Sequence, residues 1–448
     1  MTGVRRVAIT GVGMVTPVGN DAATTWASLL AGRSGGGQIT LFDASGFPVH
    51  IAAEVKDFDQ RALQQQLGDD RKLLKFANRS HRFALAAAEQ AMRDAGIRPG
   101  PDDAGRWGCA VGTGMMGAEY QDLVETHDHA APDGELHPEL LLSDGPANDP
   151  LVFCRSNCAA GLSLLTRHYG ILGYATSVHT ACASGGQAIG TAMKVIRRGA
   201  ADRVLAGGFD SMISPVGISG FCLLSALSPD NDTPERASRP FDASRNGFLL
   251  GEGAGFLVLE EWDAARRRGA HIYAELAGDG NSLSSYRITD SPPDGDGPIQ
   301  AMRQALASAG ARPDDVDYLN AHGTSTGMND RSESAAVKAV FGAHAERLSV
   351  SSTKSTMGHL IAAAGAVEVA VCALAIRDSL MPVNANLVEI DPDCELNFVR
   401  GAPRSARIRM TMSNSFGFGG SNSCIVLRNP EEVDGLPGRA HMTGGERA

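Results

Sequence analysis

The chain has 448 residues, 43% of them hydrophobic and 20% charged, a composition typical of a globular protein with room for two domains or one duplicated unit. Its formal net charge of −11 argues against non-specific binding to nucleic acid. The sequence shows no signal peptide and no apolar run of membrane-spanning length. We therefore expect a cytoplasmic protein with neither a nucleic-acid partner nor a membrane partner.

The eight cysteines have no regular framework spacing, so in a large cytosolic chain we expect them to be reduced. Cys154 and Cys158 are four positions apart and lack a second ligand pair at metal spacing. The sequence therefore predicts no structural zinc site, and we expect no bound metal.

In chain order, residues 5–15 predict a strand, 19–31 a helix and 34–59 a glycine-rich, then strand-like segment. Residues 69–82 predict one helical stretch, which contains several basic residues. An apolar helix is predicted over 83–95 and a strand over 107–112. The polar segment 118–150 is predicted to be a surface excursion, and a helix is predicted over 157–169.

Residues 174–198 predict a strand, a tight turn and a helix, with Cys182 in the turn. The strand over 174–178 is β-branched and is predicted to be buried. Free amide groups and the helix dipole at the start of the helix favour a thiolate at Cys182. A structural role is the simpler interpretation for the cysteines in apolar or strand-like surroundings, which are Cys109, Cys222, Cys372 and Cys424.

After residue 260 the order of predicted elements recurs, with a strand over 272–277 and a helix over 299–309. Gly96 and Gly310 end equivalent helices about half a chain apart, and each is followed by a short strand and a Gly-Thr turn. We predict two halves, 1–260 and 261–428, followed by a disordered tail over 429–448. The alternation of strands and helices favours a largely parallel sheet in each half.

Two histidines lie at equivalent ends of predicted strands in the second half. His322 follows the strand over 317–319, and His359 opens a small-residue helix. A lone histidine is most often structural, but open α/β sheets collect ligands at these strand ends, and two imidazoles can serve a thiolate nucleophile. The glycine-rich turn over 414–422 has two interpretations. Its glycines either serve only the geometry of the turn, or they expose a backbone N–H that acts as an oxyanion donor.

Two further motifs fit a known pattern only in part. Residues 112–117 read Gly-Thr-Gly-Met-Met-Gly but lack the acidic residue that a dinucleotide site needs about twenty positions on. Residues 351–354 read Ser-Ser-Thr-Lys, the first motif of serine acyl-enzymes, but the companion Ser-Asp-Asn and Lys-Thr-Gly motifs are absent. We reject both functions.

Several long motifs occur in the order of one enzyme family: HTACASGG, ASRPFDASRNGFLLGEGAG, NAHGTST, SSTKSTMGHLIAAAGAVE and NSFGFGGSN. From about residue 4 to residue 428 the chain resembles β-ketoacyl-acyl-carrier-protein synthases of the elongating type (synthase II), within the thiolase-like superfamily. This resemblance implies an α/β protein with the thiolase-like duplicated αβαβα layered fold, which agrees with the repeat.

The resemblance also implies roles for particular residues. Cys182 would take an acyl chain from the phosphopantetheine arm of an acyl carrier protein. His322 and His359 would support loss of CO2 from a malonyl thioester and stabilise the enolate charge. Lys354, with Glu368, would organise the site, and no metal or redox cofactor is required.

The same resemblance assigns the surroundings of the thiol. The backbone N–H groups of Cys182 and Phe418 would hold the oxyanion, and Phe418 would gate the acyl pocket. Thr324 and Thr326 would contact the pantetheine arm. The predicted substrate-binding residues are Thr324, Thr326, Phe416, Phe418 and Gly419.

The expected partners are an acyl carrier protein and a second ketosynthase-type subunit, in a homodimer or in a heterodimer with a chain-length-factor-like protein. The basic residues Arg71, Lys72 and Lys75 form a candidate docking face for an acidic carrier protein, or else a simply solvated helix face.

Three departures from the fatty-acid pattern keep the pathway open. Residues 221–228 lack the usual arginine, Gly327-Met328 replaces the usual proline, and residues 79–91 look more like polyketide ketosynthase subunits. Fatty-acid elongation and type II polyketide or polyene synthesis are both possible. A non-catalytic chain-length-factor role is the alternative, and a non-decarboxylating thiolase is less consistent with the motifs.

Overall fold

The computed structural model describes residues 5–114, 117–143, 149–288 and 292–434. The strands of this part of the chain are β1 (Val7–Val15), β2 (Gly37–Gln38), β3 (Ile51–Ala52), β4 (Trp107–Thr113), β5 (Ala175–Val178), β6 (Arg203–Asp210), β7 (Gly253–Glu261), β8 (Ala274–Leu283), β9 (Tyr318–Asn320), β10 (Ser349–Ser351), β11 (Leu380–Met381), β12 (Arg404–Ser405), β13 (Met410–Phe416) and β14 (Ser421–Arg428).

The α-helices are α1 (Ala22–Leu30), α2 (Gln60–Leu67), α3 (Arg79–Ala95), α4 (Tyr120–Ala130), α5 (Pro150–Ser156), α6 (Ala160–Tyr169), α7 (Ser184–Arg197), α8 (Pro215–Leu223), α9 (Trp262–Arg267), α10 (Asp296–Ala309), α11 (Gly327–Phe341), α12 (Lys354–Met357), α13 (Ala364–Asp378) and α14 (Pro430–Asp434). Short 3₁₀ turns occur between them, and those that matter most here are Gly68–Phe76, Ala181–Ala183 and Ile361–Ala363.

Ten of the described strands form one sheet in the order β10-β9-β13-β14-β8-β1-β7-β6-β4-β5. The two ends of this order repeat each other. One set is β10-β9-β13-β14-β8, and the other, read from the opposite end, is β5-β4-β6-β7-β1. If the strands of each set are numbered 1 to 5 by their position in the sequence, both sets lie in the order 3-2-4-5-1. The first strands of the two sets, β8 and β1, pair at the centre. The sheet is therefore two copies of one five-strand unit joined edge to edge, which agrees with the repeat in the sequence.

The helices form three layers around this sheet. Helix α3 covers β1 and β7 and α6 covers β4 on one outer side, while α10 covers β8 and β14 on the other. Helices α7 and α13 lie between the two units and contact each other as well as strands of both. Helix α13 is buried from Ala364 to Ile376, as expected for a helix without a polar face. This is the duplicated αβαβα arrangement. The exact boundary between the two halves, near residue 260, stays a prediction.

The prediction of a largely parallel sheet is wrong for half of the pairings. Strands β4, β5 and β6 are parallel, as are β9, β10 and β13, but β7 runs antiparallel to both β6 and β1. Strand β14 follows β13 through a turn of four residues, whereas β7 returns to the sheet after a long excursion over residues 211–252. Alternation of strands and helices in the sequence does not reveal the direction in which such an excursion returns.

The strand before Cys182 was also predicted to be buried, and this is wrong. Strand β5 pairs only with β4 and forms one edge of the sheet, and no residue of Ala175–Val178 is buried. A β-branched composition fits an edge strand as well as a central one, because both are pleated and partly covered.

The basic stretch at 69–82 is two elements rather than one helix. The 3₁₀ turn Gly68–Phe76 ends at an extended Ala77, and α3 then starts with Asn78 as its N-cap. Asn78 accepts the amide of His81, and the His81 ring accepts the amide of Asn78, which forms a capping box. The cap therefore places Arg71, Lys72 and Lys75 on a different element from Arg79 and Arg82.

The ends of the predicted elements also differ in places. Helix α14 occupies the start of the segment predicted as a disordered tail, and residues 435–448 lie outside the described residues. The surface excursion at 118–150 contains α4 and a 3₁₀ turn, Pro138–Leu142. Met115 and Met116 of the rejected glycine motif are not described. Among the described helices, none is long and apolar enough to cross a membrane.

Candidate active site

Cys182 lies in the 3₁₀ turn Ala181–Ala183, between the edge strand β5 and helix α7. Its side chain is buried, and Ala181 before it has a left-handed φ of 49°. Gly185, in the first turn of α7, allows the close approach of α13. A Cβ at this position would lie 2.8 Å from the amide nitrogen of Ala366. The turn therefore holds the thiol where the two central helices meet.

The helix terminus alone does not decide the protonation state of Cys182. Burial raises the pKa of Cys182 to about 12, against the opposing effects of the Lys354 charge and of backbone N–H groups of Phe418 and Cys182. The cost of placing a charge in a buried site outweighs the helix terminus. We infer that the sulfur is a thiol at neutral pH until substrate binds.

His359 faces this sulfur. Its Nε2 lies 3.0 Å from the Cys182 Sγ, and its Nδ1 accepts the backbone N–H of Ile361 at 3.2 Å. Because burial and the Lys354 charge hold the pKa of His359 well below its usual value, the ring is neutral. A neutral ring whose Nδ1 accepts a hydrogen bond carries its proton on Nε2. His359 therefore presents an N–H donor to the thiol and to the space beside it.

His322 stands next to His359, with ring centroids 5.3 Å apart and ring planes nearly perpendicular. Burial and the Lys354 charge also hold its pKa well below the usual value. Glu333 on α11, completely buried, accepts the backbone N–H groups of His322 and Gly323. This carboxylate fixes the backbone from which the His322 ring projects.

Lys354 and Glu368 form a fully buried ion pair beside the histidines. Burial raises the pKa of Glu368 to about 7, against the lowering effect of the Lys354 charge. Buried charges of opposite sign cost little only when they stay together. The Lys354 charge lowers the pKa values of Cys182, His322 and His359, so the pair influences the electrostatics of all three side chains.

Thr324 and Thr326 line the same cavity, and their hydroxyl oxygens are 2.8 Å apart. Asp330 at the start of α11 accepts the amide of Thr324, and Arg245 pairs with Asp330 in the protein interior. Two hydroxyl groups on a fixed loop can hold a polar arm that reaches toward the thiol.

The cavity in front of Cys182 has a volume of about 270 Å³. Cys182, His322, His359, Phe416 and Phe418 all line it. Several lining residues were not predicted as site residues, and these are Leu224, Ser225, Ala226, Phe248, Ile288, Gly327, Met328, Asn329, Gly417, Gly420 and Asn422. They come from four separate loops, and no local pattern in the sequence brings these loops together.

Gly419 is the one predicted substrate-binding residue that does not line the cavity. It is exposed, has a φ of 81°, and donates its amide to the carbonyl of Ile288. Gly417, two positions earlier, is the glycine that lies against the backbone of Cys182. A Cβ at Gly417 would lie 3.2 Å from the amide nitrogen of Cys182. The absence of a side chain there leaves space for a substrate oxygen next to that amide.

The backbone N–H of Phe418 lies near the Cys182 sulfur and lowers the pKa of the thiol. Its ring is half-buried and lies 6.4 Å from the ring of Phe221 on α8. Two amides aimed at one point can stabilise an oxyanion. This arrangement agrees with the predicted pair of donors, whose catalytic role remains a proposal.

The side chains of Cys182, His322 and His359 bring three possible metal ligands within 4.8 Å of one another. The donor chemistry does not fit a metal at His359. Its Nδ1 accepts the amide of Ile361, so its Nε2 carries a proton and has no lone pair to offer. We derive no metal-dependent step, and the expected absence of a metal stays a prediction.

A buried thiol beside two neutral imidazoles and nearby backbone amides is the set of groups that an acyl-transfer reaction uses. The Beta-ketoacyl synthase N-terminal domain model matches residues 4–265, and the corresponding C-terminal domain model matches residues 273–388. The chain belongs to the β-ketoacyl synthase family.

Two curated relatives are named 3-oxoacyl-[acyl-carrier-protein] synthase 2. The one from Coxiella burnetii is 44% identical over 94% of this chain and 98% of its own length. The one from Synechocystis is 39% identical over 95% of this chain and 98% of its own length.

Two solved structures are similar over 95% of this chain, each at 34% identity with a TM-score of 0.83. The first is a type II polyketide synthase acyl carrier protein in complex with its ketosynthase bound to the hexaketide, and 99% of that chain is covered. The second is the ishigamide ketosynthase/chain length factor, covered over its full length.

Proposed function

We propose that this protein is an elongating β-ketoacyl-acyl-carrier-protein synthase that uses Cys182 as its nucleophile. The observation that carries the proposal is the N–H of His359 Nε2 aimed at the Cys182 sulfur from 3.0 Å, with His322 beside it in one cavity. A scaffold subunit has no need of a nucleophile with these neighbours, so the non-catalytic pairing role is not favoured.

In the first half-reaction, the Cys182 sulfur attacks the acyl thioester on the carrier's phosphopantetheine arm. The carrier thiol leaves with the proton that Cys182 loses, and the acyl group remains on the sulfur. Amides of Cys182 and Phe418 stabilise the tetrahedral oxyanion. Acylation also avoids the free-energy cost of a buried thiolate, since the acyl-cysteine is neutral.

In the second half-reaction, a malonyl thioester loses CO2, and the electron pair of the broken carbon–carbon bond forms an enolate. The N–H groups of the two neutral histidines donate to the enolate oxygen. The enolate carbon then attacks the acyl carbonyl, and Cys182 leaves as a thiolate and takes up one proton from solvent. The chain's own residues supply every donor in these steps, so we propose that no cofactor is needed beyond the carrier's arm.

The proposed partners are an acyl carrier protein and a second subunit of the same fold. Arg71, Lys72 and Lys75 on the 3₁₀ turn Gly68–Phe76 are exposed and form a candidate docking face for the acidic carrier. Homodimer and heterodimer remain alternatives, and we place the protein in the cytoplasm.

One observation favours a polyketide role over housekeeping fatty-acid elongation. Leu223 and Leu224 are exposed at the end of α8, and Leu224, Ser225 and Met328 line the cavity where the fatty-acid pattern has an arginine and a proline. An apolar, uncharged mouth suits a partner or acyl chain unlike that of the fatty-acid enzymes.

The direct test is intact-mass spectrometry after incubation with acyl- and malonyl-carrier proteins, with and without a candidate partner subunit. We expect an acyl adduct on the wild type and on Cys154→Ala, an exposed-thiol control, and none on Cys182→Ala. The dependence of product length on the partner then distinguishes the fatty-acid and polyketide roles. Folded wild-type protein that gains no acyl group with any partner would contradict the proposal.

A further inference from the structure

Asp210 is a buried carboxylate next to the catalytic turns that the mechanism above does not use. It ends strand β6 and is 3% exposed. Its Oδ2 accepts the amide of Ala362 at 3.1 Å, and its Oδ1 accepts the amide of Ser211 at 2.9 Å. The side chain therefore joins the end of the sheet to the 3₁₀ turn that follows His359.

That turn controls the proton position on His359. Its first residue, Ile361, donates its amide to His359 Nδ1, and Ile361 adopts a φ of 47°. A β-branched residue in the left-handed region is strained and persists only where its surroundings hold it. Asp210 places a carboxyl oxygen on the very next amide, so it is well placed to hold the strained turn.

The duplication gives an independent comparison for Asp210. Phe209 of β6 pairs with Ala254 at the start of β7, and Phe416 of β13 pairs with Asn422 at the start of β14. Since the two strand orders match, the residues that follow these phenylalanines, Asp210 and Gly417, are equivalent.

Cys182 and Ala362 are equivalent in the same way. Each is the middle residue of a three-residue 3₁₀ turn that leads into a central helix, with a histidine three positions earlier, and each turn begins with a left-handed residue. The amides of Cys182 and Ala362 therefore occupy matching positions in the two halves.

The residue that faces this matching amide differs between the two halves. Gly417 has no side chain, and this leaves the Cys182 amide open to a substrate oxygen. Asp210 places a carboxylate oxygen on the Ala362 amide. One copy of the site is an oxyanion hole, and the other copy is filled by the protein's own carboxylate.

We propose that Asp210 is a positioning residue for the condensing reaction, filling the second copy of the oxyanion hole and thereby fixing His359 with its proton on Nε2. This inference rests on the ketosynthase function proposed above. It goes beyond that function because Asp210 touches neither substrate nor the reacting sulfur, and acts through the turn Ile361–Ala363.

The charge of Asp210 adds a second consequence. It raises the pKa of the Cys182 thiol, whereas the Lys354 charge lowers it. Burial, with a contribution from the neighbouring Glu252, raises the pKa of Asp210 itself to about 7. Replacing Asp210 by a neutral residue should therefore make Cys182 more acidic while it impairs His359.

The test compares Asp210→Asn with wild type in two separate half-reactions. We expect acyl transfer to Cys182, followed by intact mass, to stay within about threefold. We expect decarboxylation of malonyl-carrier protein to fall about tenfold or more, mainly in kcat, because misplacement of a catalytic group by a fraction of an ångström is costly. The rate of Cys182 alkylation by iodoacetamide should also shift to lower pH.

A tautomer measurement makes the result independent of turnover. Solid-state ¹⁵N spectra of histidine-labelled protein, assigned with His359→Gln, should show His359 protonated on Nε2 in the wild type and a mixture of tautomers in Asp210→Asn. Ser211→Ala is the matched control, because it alters the neighbouring side chain and its bond to Glu252 but keeps both bonds to Asp210. Asp210→Leu, which has no acceptor, should be more severe.

An unchanged His359 tautomer in a folded Asp210 variant would overturn the proposal, as would equal losses in both half-reactions, which indicate general structural damage. A wild type that fails to decarboxylate malonyl-carrier protein would refute the proposed function instead. The tautomer spectra still decide the positioning role in that case, so the two failures are distinguishable.

Discussion

A buried thiol and two buried imidazoles are each more stable uncharged, and this sets the resting chemistry of the site. The pKa of Cys182 is about 12, and the pKa values of His322 and His359 lie well below their usual range. Neutral imidazoles donate hydrogen bonds without competing for the thiol proton. A site built in this way can stabilise oxygen anions over a broad pH range.

The Lys354–Glu368 pair should be intolerant of single substitutions. Lys354→Met leaves Glu368 buried without its partner, and we expect a loss of about 3–5 kcal/mol in the free energy of unfolding. The double variant Lys354→Met, Glu368→Leu should recover much of this loss, since it buries no charge. Urea denaturation measures both.

The exposed pair Arg377–Asp378 supplies the control for that experiment. Arg377→Ala should cost about 1 kcal/mol or less, because partly exposed ion pairs are screened by solvent. If Lys354→Met were as stable as Arg377→Ala, this would contradict the prediction that the buried Glu368 depends on Lys354 as its counter-charge.

His81 predicts a pH dependence of stability. Burial lowers its pKa to about 4, below the usual 6.5, so the folded state favours the neutral ring. The contribution to stability is complete above pH 6.5 and is lost as the pH falls toward 4, by roughly 3 kcal/mol in total. Urea denaturation between pH 4 and 7 should show this slope, and His81→Gln should flatten it. An equal slope in both proteins would rule out His81 as its source.

At the scale of elements, the contact between α7 and α13 depends on glycine. Gly185→Ala would place its Cβ 2.8 Å from the Ala366 nitrogen, and we expect a loss of about 1–3 kcal/mol or more. Gly220→Ala in α8 is the matched control, because no atom lies within 4 Å of its Cβ. That variant should be neutral or slightly stabilising. Thermal melts of the two variants compare them, and equal midpoints would contradict the packing argument.

The basic 3₁₀ turn Gly68–Phe76 predicts an element-scale effect on the carrier protein. Reversal of Arg71, Lys72 and Lys75 to glutamate should raise the apparent KM for acyl carrier protein by about tenfold or more and leave kcat nearly unchanged. Reversal of the exposed Arg312, on the other half of the chain, is the control. Acyl transfer from a small pantetheine thioester should be equal in all variants. Unchanged carrier KM would identify the turn as a solvated surface.

At the scale of the molecule, we predict that the proposed second subunit pairs with the edge strand β5. The carbonyl of Tyr174 bonds to β4, so the amides of Ala175 and Ser177 point away from the sheet. Ser177→Pro should remove an outward donor without breaking the pairing to β4, and should weaken dimerisation. Ser177→Ala keeps the amide and is the control. Light scattering at graded concentrations measures the effect, and equal dimer stability in both would exclude this edge.

The amino-acid sequence by itself determined the duplicated fold and the thiol–imidazole set. Strand and helix periodicities are local properties, and Cys182, His322 and His359 stand in long motifs that a single chain displays directly. Each of these residues lines one cavity, as the resemblance implied. The direction of β7 and the edge position of β5 were not visible, because they depend on how distant segments return to the sheet. The break at Asn78 is instead a local capping box, which the prediction of one helical stretch over 69–82 missed.

Only the tertiary structure decided the electrostatics and the fine positioning of the site. The helix terminus at Cys182 favours a thiolate locally, yet burial by four distant loops reverses the preference. Gly417 rather than Gly419 lies against the amide of Cys182, because the Gly419 amide is bonded to the distant Ile288 carbonyl outside the cavity. Asp210 carries no motif at all. Its partner lies 152 positions away, and only the pairing of the two halves brings the carboxylate to the Ala362 amide.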